Sequence, residues 1–148
     1  MDKSAISKDA FVRKLNEDLE SEYRSIVQYV QHVSSIKGAR YQQVVKELRE
    51  HLPQELEHAM ILAGQIDFLG GTPSCEVPPI ETRQDADAAL EQDLRLEERQ
   101  LDRYRERIVE ANELGLPDVA EALSPLVAQT QDHVHDLRTA LAPPDSAS

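Results

Sequence analysis

The sequence predicts an all-α fold: four long helices in one bundle, with a single long crossover between the second and the third. Three observations carry this reading. Ala, Leu, Glu, Gln and Arg recur throughout, while there are only five glycines and no tryptophan, a helix-forming mixture. Apolar residues return at steps of three, four or seven in four segments, the signature of one buried helix face. Breakers cluster at three places, and only one of the gaps between segments is long. The 148 residues are enough for one domain with a real core, spanning 1–148.

The first helix is expected over about 8–36. Phe11, Leu15, Leu19, Ile26, Tyr29, Val33 and Ile36 form its stripe, and Gly38 follows as a stop. The second is expected over about 39–69, with Tyr41, Val45, Leu48, Leu52, Ala59, Leu62, Ile66 and Leu69 inward. Pro53 lies inside it and should kink or divide it, because proline removes a helical hydrogen bond. Gly70-Gly71-Thr72-Pro73 ends that helix, and residues 71–83, with three prolines, read as an extended connector. The third helix, about 85–114, carries Leu90, Leu94, Leu101, Tyr104, Ile108 and Ala111. Gly115-Leu116-Pro117 makes a short corner, with glycine closing one helix and proline opening the next. The fourth, about 117–141, turns Leu123, Leu126, Leu137 and Leu141 inward and has a second expected kink at Pro125. A loose Pro/Ser-rich tail, 142–148, follows. Two short links and one long crossover fit one known bundle topology.

Charge and cysteine content narrow the function classes. The formal net charge is −12, which argues against a nucleic-acid partner and suits either cation attraction or an acidic soluble surface. The lone Cys75 cannot form an internal disulfide, which fits a reducing compartment. The opening residues lack a signal-peptide core, and no apolar stretch of about 18 residues exists. A cytoplasmic protein that does not engage membranes is therefore expected.

The two halves of the chain repeat. Asp18-Leu19, Glu22 and Tyr29 match Asp93-Leu94, Glu97 and Tyr104, both reading Asp-Leu-x-x-Glu-x6-Tyr. Glu22 stands 36 positions before His58, and Glu97 stands 36 before His133; Leu62 and Leu137 follow those histidines by four. Six matched positions without a register slip indicate two related helical hairpins. Glu22 lies in the stripe between Leu19 and Ile26, and Glu97 between Leu94 and Leu101. Glu55 and His58 interrupt the stripe before Leu62, and His133 lies between Leu126 and Leu137. A carboxylate facing a core is expensive unless it is paired or bound to metal. Three carboxylates and two imidazoles at one level point to metal, and Glu55-x-x-His58 sets two donors on one helix face.

These residues carry a family resemblance. Leu15-Asn16, Glu22, Tyr29, Glu55-x-x-His58, Asp93-Leu94, Glu97 and His133 resemble the ferritin-like superfamily, most nearly bacterioferritins and Dps-like mini-ferritins, over roughly residues 8–141. The resemblance implies a di-iron centre. Glu22 and Glu97 would be terminal ligands, Glu55 a bridge, and His58 and His133 would each hold one ion, with Tyr29 and Tyr104 beside the centre in a catalytic role. Manganese or zinc would also suit such donors.

Three departures qualify that pattern. Thr130 stands where the second bridging glutamate belongs, so the second ion should bind more weakly, or recruit water, hydroxide or Asp132. A register shifted by two residues, Asp132-x-x-His135, would restore a carboxylate–histidine pair but break the repeat. Leu56 stands where bacterioferritins place a haem-ligating methionine, so no haem is expected. Only fifteen residues follow His133, too few for a fifth helix, so a homo-oligomer built on dimers is expected, a dodecamer or smaller. Tyr23, Val27, Val30 and Leu56 lie off the main stripe and are candidates for its dimer flank.

Two function classes follow. One is a ferroxidase-type oxidoreductase that takes Fe(II) with oxygen or peroxide and, as a cage, serves iron storage or detoxification. The alternative is a non-catalytic scaffold with a degenerate metal site, which Thr130 favours. A rubrerythrin-like peroxidase is a weaker third reading, since no Cys-x-x-Cys is present. His32, His51 and His135 are read as surface residues and Met60 as packing. Asp18 and Asp93 are read either as acceptors that orient the ligand histidines or as solvated or capping groups.

Overall fold

The computed structural model describes residues 6–143. Among the described residues there are four α-helices: α1 (Lys8–Ser35), α2 (Gln42–Phe68), α3 (Ala86–Glu113) and α4 (Pro117–Leu141). A short 3-10 turn, Ala39–Tyr41, occupies the start of the expected second helix. Of the tail expected at 142–148, the part from residue 144 onward lies outside the described residues.

Local chemistry sets the helix ends. The side chain of Ser7 accepts the amide of Ala10, and that of Asp85 accepts the amide of Ala88, so α1 and α3 are capped by oxygen. Gly70 and Gly115 both have positive φ, 86° and 73°. Each lets the chain double back after its helix: Gly71 donates to Ile66 and Leu116 to Ala111, the paired Schellman closure. Pro117 opens α4. Pro53 and Pro125 divide neither helix; α2 and α4 run through them, with both prolines on the exposed side. There the lost hydrogen bond leaves a carbonyl that water can reach.

α1 packs against α2 and α3, and α4 packs against the same two helices, so the four form a square. α1 and α3 are antiparallel: Asp18 meets Arg107, and Gln28 and His32 meet Asp93. The crossover is pinned along α1. The side-chain amide of Asn16 donates to the Thr72 carbonyl while its oxygen accepts the Ser74 amide, and Tyr23 donates to the Ser74 carbonyl.

Two apolar clusters fill the interior. Phe11, Leu15, Leu19, Leu62, Ile66 and Leu123 belong to one; Ile36, Val44, Leu48, Leu90 and Leu137 belong to the other. The expected stripes recur with small phase errors. Val44 rather than Val45, and Leu96 rather than Leu94, are the buried neighbours. Met60, expected in the packing, is 55 % exposed.

Candidate metal centre

Between the two apolar clusters every helix turns a polar side chain inward. Glu22 comes from α1, Glu55 and His58 from α2, Glu97 from α3, and Thr130 and His133 from α4; all are buried. Ligand atoms of Glu22, Glu55 and His58 lie within 4.8 Å of one another, and so do those of Glu55, Glu97 and His133. Glu55 is common to both groups. The five residues that the stripe and repeat singled out are therefore brought together. Asp132 and His135 are not: both are exposed on the outer side of α4, while Thr130 is fully buried. The shifted register is thus overturned, because it would turn Leu137 out of the core.

A twofold-like correspondence organises the site, with α1–α2 matching α3–α4 at an offset of 75 residues. Tyr29 donates to Glu97 Oε1 at 2.5 Å, and its counterpart Tyr104 donates to Glu22 Oε1. Burial holds both phenols well above their ordinary pKa, reinforced by the facing carboxylates, so both remain proton donors. Each tyrosine occupies one carboxylate oxygen and leaves Oε2 free. The imidazoles are fixed the same way. His58 Nε2 donates to Gln129 Oε1 and His133 Nε2 to Gln54 Oε1, both at 2.6 Å. With one proton held on Nε2, Nδ1 is the nitrogen that faces the centre, free to bind an ion once any proton on it leaves.

Asp18 and Asp93 do not orient these histidines, contrary to one expectation. Asp18 binds Arg107 at 2.8 Å and Arg103 at 3.2 Å; Asp93 binds His32 and Gln28, both at 2.7 Å. The two aspartates clamp α1 to α3 at either end of the centre. His32 and His51, expected at the surface, are buried. His51 stacks on His133, ring centroids 3.9 Å apart, and its Nε2 lies 3.0 Å from Asp136 Oδ2. Sequence reasoning missed Gln54, Gln129 and His51. The 75-residue offset was the available signal for the two glutamines; none marked His51.

Seven inward atoms are buried without a hydrogen-bonding partner: Glu22 Oε2, both Glu55 oxygens, Glu97 Oε2, His58 Nδ1, His133 Nδ1 and Thr130 Oγ1. His133 Nδ1 sits 2.8 Å from Glu55 Oε1 and 3.4 Å from Glu97 Oε1; a nitrogen that close to two carboxylates calls for a cation between them, a proton or, in its place, a metal ion. The electrostatics agree. Burial, with the Glu55 charge beside it, pushes the Glu22 carboxyl well up. Burial and then Glu97 raise Glu55 to about 7. Burial opposes a charge on His58, yet Glu22 and Glu55 overcome it and lift the ring to about 10. Burial also opposes the Glu97 charge, but His133 and Tyr29 outweigh it and hold that carboxyl near 2. Carboxylates and imidazoles orphaned this way fit a pair of divalent ions such as iron, manganese or zinc.

Residues 12–143 match the family model for the ferritin-like domain. The chain belongs to that family. It is 28 % identical over 131 residues to a bacterioferritin of Brucella melitensis, covering 88 % of this chain and 81 % of that protein. It is 27 % identical over 132 residues to the bacterioferritin of Mycobacterium leprae, covering 88 % and 83 %. Among solved structures, a ferritin-like, diiron-carboxylate protein from Bacillus anthracis superposes with a TM-score of 0.85 at 28 % identity, covering 93 % of this chain and all of that one. A dodecameric thioferritin from Bacteroides fragilis shares the fold, with a TM-score of 0.78 at 24 % identity over 94 % of this chain and 88 % of that one.

Proposed function

We propose that this ferritin-like chain binds two divalent ions, iron foremost, and oxidises Fe(II) with oxygen or peroxide. Glu22, Glu55 and His58 would hold one ion, and Glu55, Glu97 and His133 the other. The observation that supports this most is the pair of buried triads sharing Glu55, with their inward atoms unpartnered. Iron at such a centre supplies the electrons that reduce the oxidant. The protein's own part is positional. Tyr29 and Tyr104 each hold one oxygen of a terminal carboxylate, and Gln54 and Gln129 hold the outer proton of each ring. A preset donor set loses little freedom when an ion arrives. The diiron-carboxylate and bacterioferritin relatives favour iron storage or detoxification as the wider role.

The Glu22, Glu55 and His58 side should be the tighter, because the other side has Thr130 where a second bridge would stand. Anaerobic titration with Fe(II) or Zn(II) should resolve a strong and a weaker ion per chain, and aerobic Fe(II) should be oxidised faster than in buffer alone. Two equal sites, or none, would overturn the assignment. One ion bound without oxidation would instead favour the scaffold reading, in which the metal serves structure. His133→Ala should weaken the second ion at least about tenfold, while His135→Ala should leave both within about twofold, since His135 is on the outside.

A dimer-based homo-oligomer completes the proposal. Val30 on α1 is 45 % exposed and Leu56 on α2 53 %; with the half-buried Tyr23 and Val27 of α1, they are the candidates for the dimer flank. Exposed apolar side chains of this kind are what a symmetry mate would cover. Light scattering should give an even multiple of the chain mass; a monomer would contradict it.

A further inference from the structure

Arginines gather on the outer seam between α1 and α3, far from balance with the rest of this acidic chain. Arg24 on α1, Arg95 and Arg99 one turn apart on α3, and Arg83 from the connector line a cavity of about 430 Å³, with Gln28 and Gln92. Among the described residues, Arg24, Arg95 and Arg99 have no carboxylate within 4.0 Å, although the chain holds 28 acidic residues against 16 Lys and Arg. Glu81 is the one carboxylate lining the cavity, and it lies 3.2 Å from Arg83. The amide nitrogen of Gln28 is already given to Asp93. Arg24 Nε is buried with no partner, and so is Gln92 Oε1.

Arg24 is half-buried while Arg95 and Arg99 reach the cavity from its exposed rim; the like charges repel, though solvent screens the outer two, and the buried N–H of Arg24 without an acceptor adds desolvation. An oxyanion removes both penalties. Guanidinium forks match phosphoryl oxygens two at a time. A tetrahedral group presents oxygens toward both helices at once, whereas a planar carboxylate presents one edge. The volume lies in the range of small-molecule sites.

We propose that this cavity, built by Arg24, Arg95 and Arg99, binds a multiply charged phosphoryl anion, free or as part of a small metabolite. The site is separate from the metal centre and does not depend on it.

The test uses the full chain stripped of metal, so that iron cannot capture the anion. Calorimetry at low ionic strength with inorganic phosphate, pyrophosphate and citrate should show saturable binding near one per chain for the phosphoryl anions. Pyrophosphate should be tighter than phosphate, and added salt should weaken both. Citrate binding as tightly would overturn the phosphoryl assignment. In Arg24→Gln/Arg99→Gln the pyrophosphate affinity should fall at least tenfold, with the helical circular dichroism and the assembly mass unchanged. Arg105→Gln/Arg138→Gln, on the α3–α4 side, should bind like the parent. No saturable binding, or equal loss in both double variants, would overturn the proposal. So would a change of assembly mass in Arg24→Gln/Arg99→Gln, because the arginines would then belong to a contact between copies of the chain.

Discussion

Glu55→Gln should abolish tight binding of both metal ions at once, by a hundredfold or more in apparent affinity, whereas Glu97→Gln should weaken chiefly the second. Glu55 is the one carboxylate whose oxygens reach both ligand groups, and neither of its oxygens has any other partner. Glutamine keeps the shape but removes the charge and puts two donors where lone pairs are needed. The same residue should set the pH response. Its carboxyl is raised to about 7, so below that pH a proton occupies the bridging position and must be displaced. Apparent affinity of the parent should therefore climb most steeply with pH below 7, where protons on both Glu55 and His58 must leave, and by about tenfold per unit from there toward 10, where only the His58 proton remains to be displaced. The proton that Glu22 and Glu55 hold on His58, lifted to about 10, should be released on binding at neutral pH.

Stability of the metal-free chain moves the other way. A carboxyl raised on folding favours the folded state while protonated, and that advantage is lost as pH rises through its folded pKa. Glu55→Gln removes this dependence, so the metal-free variant should melt above the metal-free parent at pH 8, while added metal should stabilise only the parent. Calorimetry and melting curves at pH 6 and pH 8 measure all of this. A variant that keeps one ion at parental affinity would show that Glu55 is not shared.

The sequence showed the centre well because two independent periodicities intersect there. Glu22, Glu97 and His133 fall on apolar stripes, where a charged side chain is conspicuous, and each has a counterpart 75 residues away. Gln54 and Gln129 escaped because glutamine beside a stripe looks like any helix surface; only the offset links them. The same offset pairs His32 with Arg107 and Gln28 with Arg103, so that each repeated aspartate receives two partners from the opposite helix. The aspartates were legible as a repeat, but their partners differ in kind, and nothing local announces that histidine and arginine do the same work. His51 was misread because its counterpart is Leu126, so no repeat marked it, and its burial comes from stacking on His133. The prolines divide neither helix, because both sit on the exposed side, where a helix tolerates a missing bond.

Thr130→Glu should tighten the second ion at least about tenfold and speed Fe(II) oxidation. Thr130 is the counterpart of Glu55 at the 75-residue offset, is fully buried on α4 three residues before His133, and has a hydroxyl without a partner. Among the five expected ligands, three carboxylates against two divalent ions leave one positive charge uncompensated in a buried site; a fourth brings the sum to zero. In a medium less polarising than water that difference weighs more than it would at a surface. Without metal the balance reverses. The variant adds a fourth carboxylate to a layer where burial and mutual repulsion already push Glu22 and Glu55 upward, and its larger side chain must fit where threonine packs. Metal-free Thr130→Glu should therefore melt below the metal-free parent, by an amount reflecting about 2 kcal/mol or more, and the metal-loaded variant should melt above the metal-loaded parent. The crossing of the two melting orders is the diagnostic, because a simple packing defect would lower both states and a surface substitution would move neither. Should the variant lose stability in both states and gain no affinity for the second ion, Thr130 would not occupy the bridging position, and the asymmetry between the two halves would need another cause.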